Sequence, residues 1–307
     1  MSKTNPRAVA LLLVLAICVA CSRRDTGTSQ SEAGQTRNVT DEAGRLVVVP
    51  APIERIVSLA PNLTEIVYAI GAGDRLVGDT TYCSYPPEAK RVAKVGDTLH
   101  PSVERIIILR PQLVLVSTAS QLEEFTKQLD EHHIAAYVTD PHDLEGVFRS
   151  IQNLGDLFGE RERAAALVQS LRRRASVVED AVTSTRPVKV FYQLSAQPLY
   201  TAGRDSFVTD LVHRAGGISV TADVPGAWPR YSEESALAAQ PEAIILPTGA
   251  SMSDSNSALA EALKRSPAAI KGRVYKINDD FLARPGPRLV DGLEQIARAL
   301  HPEAFNQ

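Results

Sequence analysis

One spaced pattern occurs twice in this chain, and it restricts the possible folds more than any other feature. Ser102-x-Glu104, then Pro111, then Leu113-Val114-Leu115-Val116 is repeated as Ser232-x-Glu234, then Pro241, then Ala243-Ile244-Ile245-Leu246, with every offset preserved. Each copy reads as a capped helix start, a short helix, a proline turn and a buried strand, so two halves of like topology are expected. The surrounding sequence agrees. Short β-branched runs (Ile56-Val57-Ser58-Leu59, Ala135 to Val138, Val188 to Phe191, Val274 to Ile277) alternate with helically periodic stretches such as Leu63 to Ile70 and Leu289 to Leu300. That alternation predicts an α/β fold of two lobes with mostly parallel sheets.

Between the halves, apolar residues at Leu144, Val147, Ile151, Leu154 and Phe158 precede Gly159, and a second set runs through Ala164, Leu167, Leu171, Val178 and Val182. Two helices with a glycine stop are predicted, the second over about Glu160 to Thr183. At 1.5 Å per residue it would be roughly 35 Å long, a stiff connector that resists bending. The expected organisation is a signal segment at 1–21, a flexible tether at 22–40, an N-terminal lobe at 41–142, connecting helices at 143–184 and a C-terminal lobe at 185–307.

Lys3 and Arg7 precede an apolar run from Ala8 to Ala20, which ends at Cys21. Thirteen apolar residues would rise about 20 Å as a helix, short of a roughly 30 Å hydrocarbon core, so the run reads as a secretory signal. Val19-Ala20-Cys21 resembles the lipobox of bacterial lipoproteins, which makes Cys21 the expected lipidation site and membrane anchor; cleavage after Ala20 without acylation is the alternative. With Cys18 removed and Cys21 acylated, Cys83 is the one thiol left, so no internal disulfide is expected. Ser22 to about Asn38 holds almost no apolar residue and reads as a tether. The formal net charge of -3 argues against a nucleic-acid partner.

Taken singly, Glu104 and Glu234 read as first-turn acids favoured by a helix dipole. As a pair they place one carboxylate at equivalent points of two similar lobes, which suits a partner with two related halves. Glu233, adjacent and also charged, is an alternative to Glu234.

These residues resemble the substrate-binding proteins of cobalamin, haem and ferric-siderophore ABC importers, with the cobalamin-binding branch nearest. The matching segments are Ile56 to Glu65, Tyr82 to Pro87, Ser102 to Ile106, Pro198 to Gly203, Val224 to Pro229 and Asp280 to Arg284. The resemblance implies a ligand cleft between the lobes, lined by Tyr82, Trp228, Asp280, Phe281 and Arg284, and docking of Glu104 and Glu234 on the importer's membrane subunits. A corrin is a broad apolar disc fringed with amides, which aromatic surfaces and a few polar groups would hold. It also implies a monomer that carries cobalamin as cargo, with no resident cofactor or metal, lipid-anchored in an extracytoplasmic or periplasmic location. Where family members often carry a tryptophan after the Tyr-Pro-Pro segment, this chain has Asp97-Thr98-Leu99-His100. Haem is the alternative cargo, with Tyr82, Tyr231 or His100 as axial candidates, or a ferric siderophore, with Arg230, Arg284 and Arg288 as cationic candidates. No nucleophile elbow, P-loop, zincin motif or dinucleotide fingerprint is present, so no enzyme activity is expected.

Overall fold

A computed structural model describes residues 35–117, 122–249 and 258–305. The chain enters through β1 (Gln35–Thr40), paired with β2 (Leu46–Ala51) in a two-stranded sheet. Here the expected tether ends early. Residues 35–40 form a strand on β2, Val39 packs against the core, and Arg37 donates to the carbonyl of Asp156 at 3.2 Å. Asp41 then fastens the hairpin to the first lobe by accepting from the Val138 amide at 3.3 Å, and steadies its turn by accepting from the Arg45 amide at 2.8 Å.

The first lobe runs β3 (Ile56–Ser58), α1 (Pro61–Ala69), β4 (Leu76–Gly78), α2 (Val103–Leu109), β5 (Leu113–Ser117), α3 (Leu122–Glu131) and β6 (Ala135–Thr139). Its strands lie in the order β4-β3-β5-β6, all parallel, with Val57 opposite Val114 and Leu115 opposite Tyr137. Two helices follow, α4 (Leu144–Phe158) and α5 (Arg161–Val182). Asp143 caps α4 by accepting from the Gly146 amide, and Gly159 ends it at φ 74°, the left-handed stop the sequence predicts.

The second lobe runs β7 (Val188–Ala196), β8 (Leu199–Thr201), α6 (Phe207–Arg214), β9 (Gly217–Ser219), α7 (Glu233–Ala238), β10 (Ala243–Thr248), α8 (Pro267–Ile270), β11 (Val274–Asn278) and α9 (Leu289–Leu300). Its sheet has the order β11-β10-β7-β8, with β9 also on β7; all pairs are parallel except β7 with β8. The two-lobed α/β expectation therefore holds.

Both sheets are buried on both faces, as parallel sheets require. Leu113 and Leu115 face one core while Val114 and Val116 face another, and Ala243 and Ile245 alternate likewise with Ile244 and Leu246. The inner faces of the two sheets share one continuous core, in which Phe148, Ile151 and Leu154 of α4 and Val168 and Leu171 of α5 join Leu63 of the first lobe to Leu293 of the second. The connector is thus part of the core. Among the described residues no helix is long and apolar enough to cross a membrane. Cys21 and the signal segment lie outside the described residues.

Candidate functional site

A cleft of about 490 Å³ lies between the lobes, at the carboxyl ends of parallel strands, where open α/β sheets place their ligands. Ala60 follows β3, Ser117 closes β5 and Asp140 follows β6 on one wall; Asp279 follows β11 on the other.

Tyr82 stands on the first wall, 49% exposed. Its loop is held from beneath by Lys94, whose Nζ donates to Asp79 Oδ1 at 2.6 Å, to the Cys83 carbonyl at 3.1 Å and to the Ala89 carbonyl at 3.0 Å. Thr64 adds a bond to Cys83 Sγ at 3.2 Å. Burial pushes the Asp79 carboxyl up to about 6, against the pull of the Lys94 ammonium.

Trp228 stands on the facing wall, 36% exposed. Phe207 meets it edge-on with ring centroids 5.6 Å apart, and buried Tyr192 lies 6.3 Å away. Its loop is laced to the segment after β8: the Gly203 amide donates to the Ala227 carbonyl at 3.0 Å and the Arg204 amide to the Val224 carbonyl at 2.8 Å. A Cβ at Gly203 would come within 2.2 Å of the Gly226 carbonyl oxygen, so this approach requires glycine.

Beside the cleft, four charges cross from lobe to lobe. Glu65 of α1, its side chain only 2% exposed, takes a bidentate pair from Arg288 at 2.9 and 2.6 Å and a longer contact from Arg284 at 3.4 Å. Arg284 in turn pairs with Asp280 at 2.6 Å, and Arg288 lies 3.6 Å from the same carboxylate. The Arg288 guanidinium is flanked by the Tyr85 ring at 4.3 Å and the Phe281 ring at 5.4 Å. Asn62 adds a further interlobe bond to the Pro285 carbonyl at 3.3 Å. Two carboxylates and two guanidiniums balance, as buried charges must.

Of the residues expected in the cleft, Tyr82, Trp228 and Arg284 line it. Asp280 and Phe281 do not: the turn after β11 buries Asp279 at the cleft and swings Asp280 and Phe281 toward Arg284 and Arg288. Of the candidate axial groups, Tyr231 packs on Phe191 at 6.1 Å away from the cleft, and His100 is an exposed loop residue beside Asp97. His142, which the sequence reading overlooked, does line the cleft and lies 3.1 Å from Asp140. Glu65 and Arg288 were not read as a pair either. The available signal was one carboxylate inside the apolar run Leu63 to Ile70.

Glu104 and Glu234 are both exposed, and neither side chain makes a hydrogen bond or ion pair with another described residue. Glu233 is committed elsewhere, accepting from the Ala262 amide at 2.8 Å. The helices that carry them are built alike. Ser102 and Ser232 cap α2 and α7 by accepting from the third amide onward, and Arg110 and Gln240 leave each helix in the left-handed region at φ 47° and 51° before the prolines.

Residues 56–281 match the model of a family described as periplasmic binding protein. The chain belongs to the periplasmic binding protein family. Like other members, this periplasmic binding protein is a binding protein and not an enzyme, as the sequence reading expects. It is 30% identical to an uncharacterized ABC transporter substrate-binding lipoprotein, YvrC, of Bacillus subtilis, over 97% of each chain. It is also 30% identical to a vitamin B12-binding protein of Vibrio cholerae, over 83% of this chain and 92% of that one. The crystal structure of the Vibrio cholerae periplasmic vitamin B12-binding protein superposes with a TM-score of 0.72, over 83% of this chain and 99% of that one. A periplasmic heme-binding protein from Roseiflexus sp. RS-1 superposes with a TM-score of 0.72 at 26% identity, over 82% and 99%.

Proposed function

We propose that this chain is the lipid-anchored, extracytoplasmic substrate-binding protein of an ABC importer, and that its cargo is cobalamin or a related corrinoid. The observation that carries this reading is the pair of aromatic faces, Tyr82 and Trp228, on opposite walls of an interlobe cleft. A broad apolar ring fringed with amides needs such surfaces for contact area and a few polar groups for orientation. The vitamin B12-binding relative adds weight.

In this account residues 1–21 direct export, Cys21 carries the lipid, and a monomer bearing its two lobes (41–142 and 185–307, joined by 143–184) works at the membrane surface. YvrC, named as a lipoprotein, supports the anchor. Cargo is gripped with little closure, because the connector is packed into both lobes. The loaded protein docks through Glu104 and Glu234, two exposed carboxylates on like helices, against the two membrane subunits.

Haem or a ferric siderophore is the second reading, favoured by the Tyr82 phenol in the cleft and the heme-binding relative. Absorption titration with cyanocobalamin, haemin and a ferric siderophore separates these cargoes. Saturable binding of the corrinoid at micromolar protein is expected; binding of haemin alone would replace cobalamin with haem.

A further inference from the structure

We infer that the Tyr192 hydroxyl is a cargo contact screened by Trp228: a hydrogen-bond donor that an amide carbonyl of the ligand reaches when the indole turns. This rests on the cargo reading above and adds to it a residue that does not line the cleft of the unloaded chain.

Tyr192 lies on β7, opposite Ile245 of β10, and its side chain is fully buried. Its hydroxyl oxygen is buried too, and among the described residues nothing bonds to it. The backbone has no room to carry that hydroxyl toward a partner. It is paired in the sheet, and its carbonyl takes a bond from Thr201 Oγ1 at 2.7 Å. A buried hydroxyl without a partner lowers stability, and phenylalanine would fill nearly the same space without that cost. A group kept on such terms calls for a functional explanation.

Its position supplies one. The Tyr192 ring lies 6.3 Å from Trp228, and Trp228 and Phe207, themselves 5.6 Å apart, both line the cleft. Tyr192 therefore sits directly behind the aromatic wall. Burial, and after it the carboxylate of Asp279, push the phenol's pKa well up, and Asp279 is also a lining residue, so the hydroxyl end is the one near the cleft. A phenol shifted this way keeps its proton. It suits an acceptor such as an amide carbonyl and does not suit a metal that wants phenolate.

The screen is hinged rather than fixed. The loop backbone is pinned, with the Thr201 amide donating to the Pro229 carbonyl at 3.2 Å and the Gly203 amide to the Ala227 carbonyl at 3.0 Å. The indole is not: among the described residues its N–H makes no hydrogen bond, and the ring rests on aromatic contacts with Phe207 and Tyr192. Turning that side chain breaks no hydrogen bond, and it brings the cargo's amide fringe to a donor with no competing partner.

Tyr192→Phe tests this in the intact protein, by thermal melting without ligand and by calorimetry with cyanocobalamin. The free variant is expected to melt at the same temperature or higher, because an unpaired hydroxyl has gone, while its affinity falls about tenfold. Opposite signs separate a ligand contact from a structural bond, whose loss would lower both. In a Trp228→Ala background the same tenfold loss is expected to persist, since the hydroxyl meets the cargo itself. An unchanged dissociation constant, a melting temperature that falls along with the affinity, or a loss that vanishes once Trp228 is removed overturns the inference and leaves the cargo reading standing. Failure of cyanocobalamin to bind the unaltered chain overturns the cargo reading and this inference with it.

Discussion

Asp79 has no exposed surface on its side chain, and among the described residues Lys94 is its one ion-pair partner. Folding raises its pKa from 3.8 to about 6, chiefly by burial. Between those values the folded chain keeps a proton that the unfolded chain has released. This group's contribution to stability is therefore fully present below the unfolded value and is lost as pH rises through about 6. Carbon-13 NMR should show a carboxyl titrating near pH 6, and Asp79→Asn should flatten the fall in stability between about pH 4 and 6. A midpoint near 4 would contradict the burial account. The same scale shows what a sequence can and cannot convey. Tyr82 and Trp228 were legible through the resemblance, which places both in segments that match the family and lie beside prolines. The Glu65–Arg288 pair was not, because its members stand 223 positions apart and nothing local marks them as partners.

At the scale of elements, the repeated pattern located one helix and one central strand in each lobe, and the α/β alternation supplied the rest of the two-lobed reading. Serine caps, first-turn carboxylates and prolines fix where each short helix begins and ends. A residue preceding proline is disfavoured in the right-handed helical region, so Arg110 and Gln240 take the left-handed exit that drops the chain into β5 and β10. Strand β1 was missed because a mostly polar hairpin has no period to read; its order comes from contacts with α4 and the core made at long range. Likewise β8 and β9, three residues each, are too short for a pattern. The prediction at this scale concerns the two acidic helices. Charge reversal at both positions, Glu104→Lys with Glu234→Lys, should cut cargo uptake by about tenfold or more in cells while leaving the dissociation constant of the isolated protein unchanged. Unimpaired uptake would remove both residues from docking.

At the scale of the whole molecule, the links between the lobes among the described residues include α4 and α5 inside a shared core, the four-charge bridge with Arg288 against Tyr85, and the Asn62 bond to Pro285. The sequence predicted the connector but not the bridge, which adds ionic contacts between the lobes to the packing of the two helices. On the proposed function, a cleft that closes little would pay a small conformational cost on binding, and its aromatic walls would carry most of the affinity. Calorimetry of the chain from Ser22 onward with cyanocobalamin, beside the Trp228→Ala variant, tests this most directly. One site per chain is predicted, weakened in the variant by about 2 kcal/mol, or roughly thirtyfold. No heat of binding in the unaltered chain, or an unchanged dissociation constant in the variant, would contradict the account.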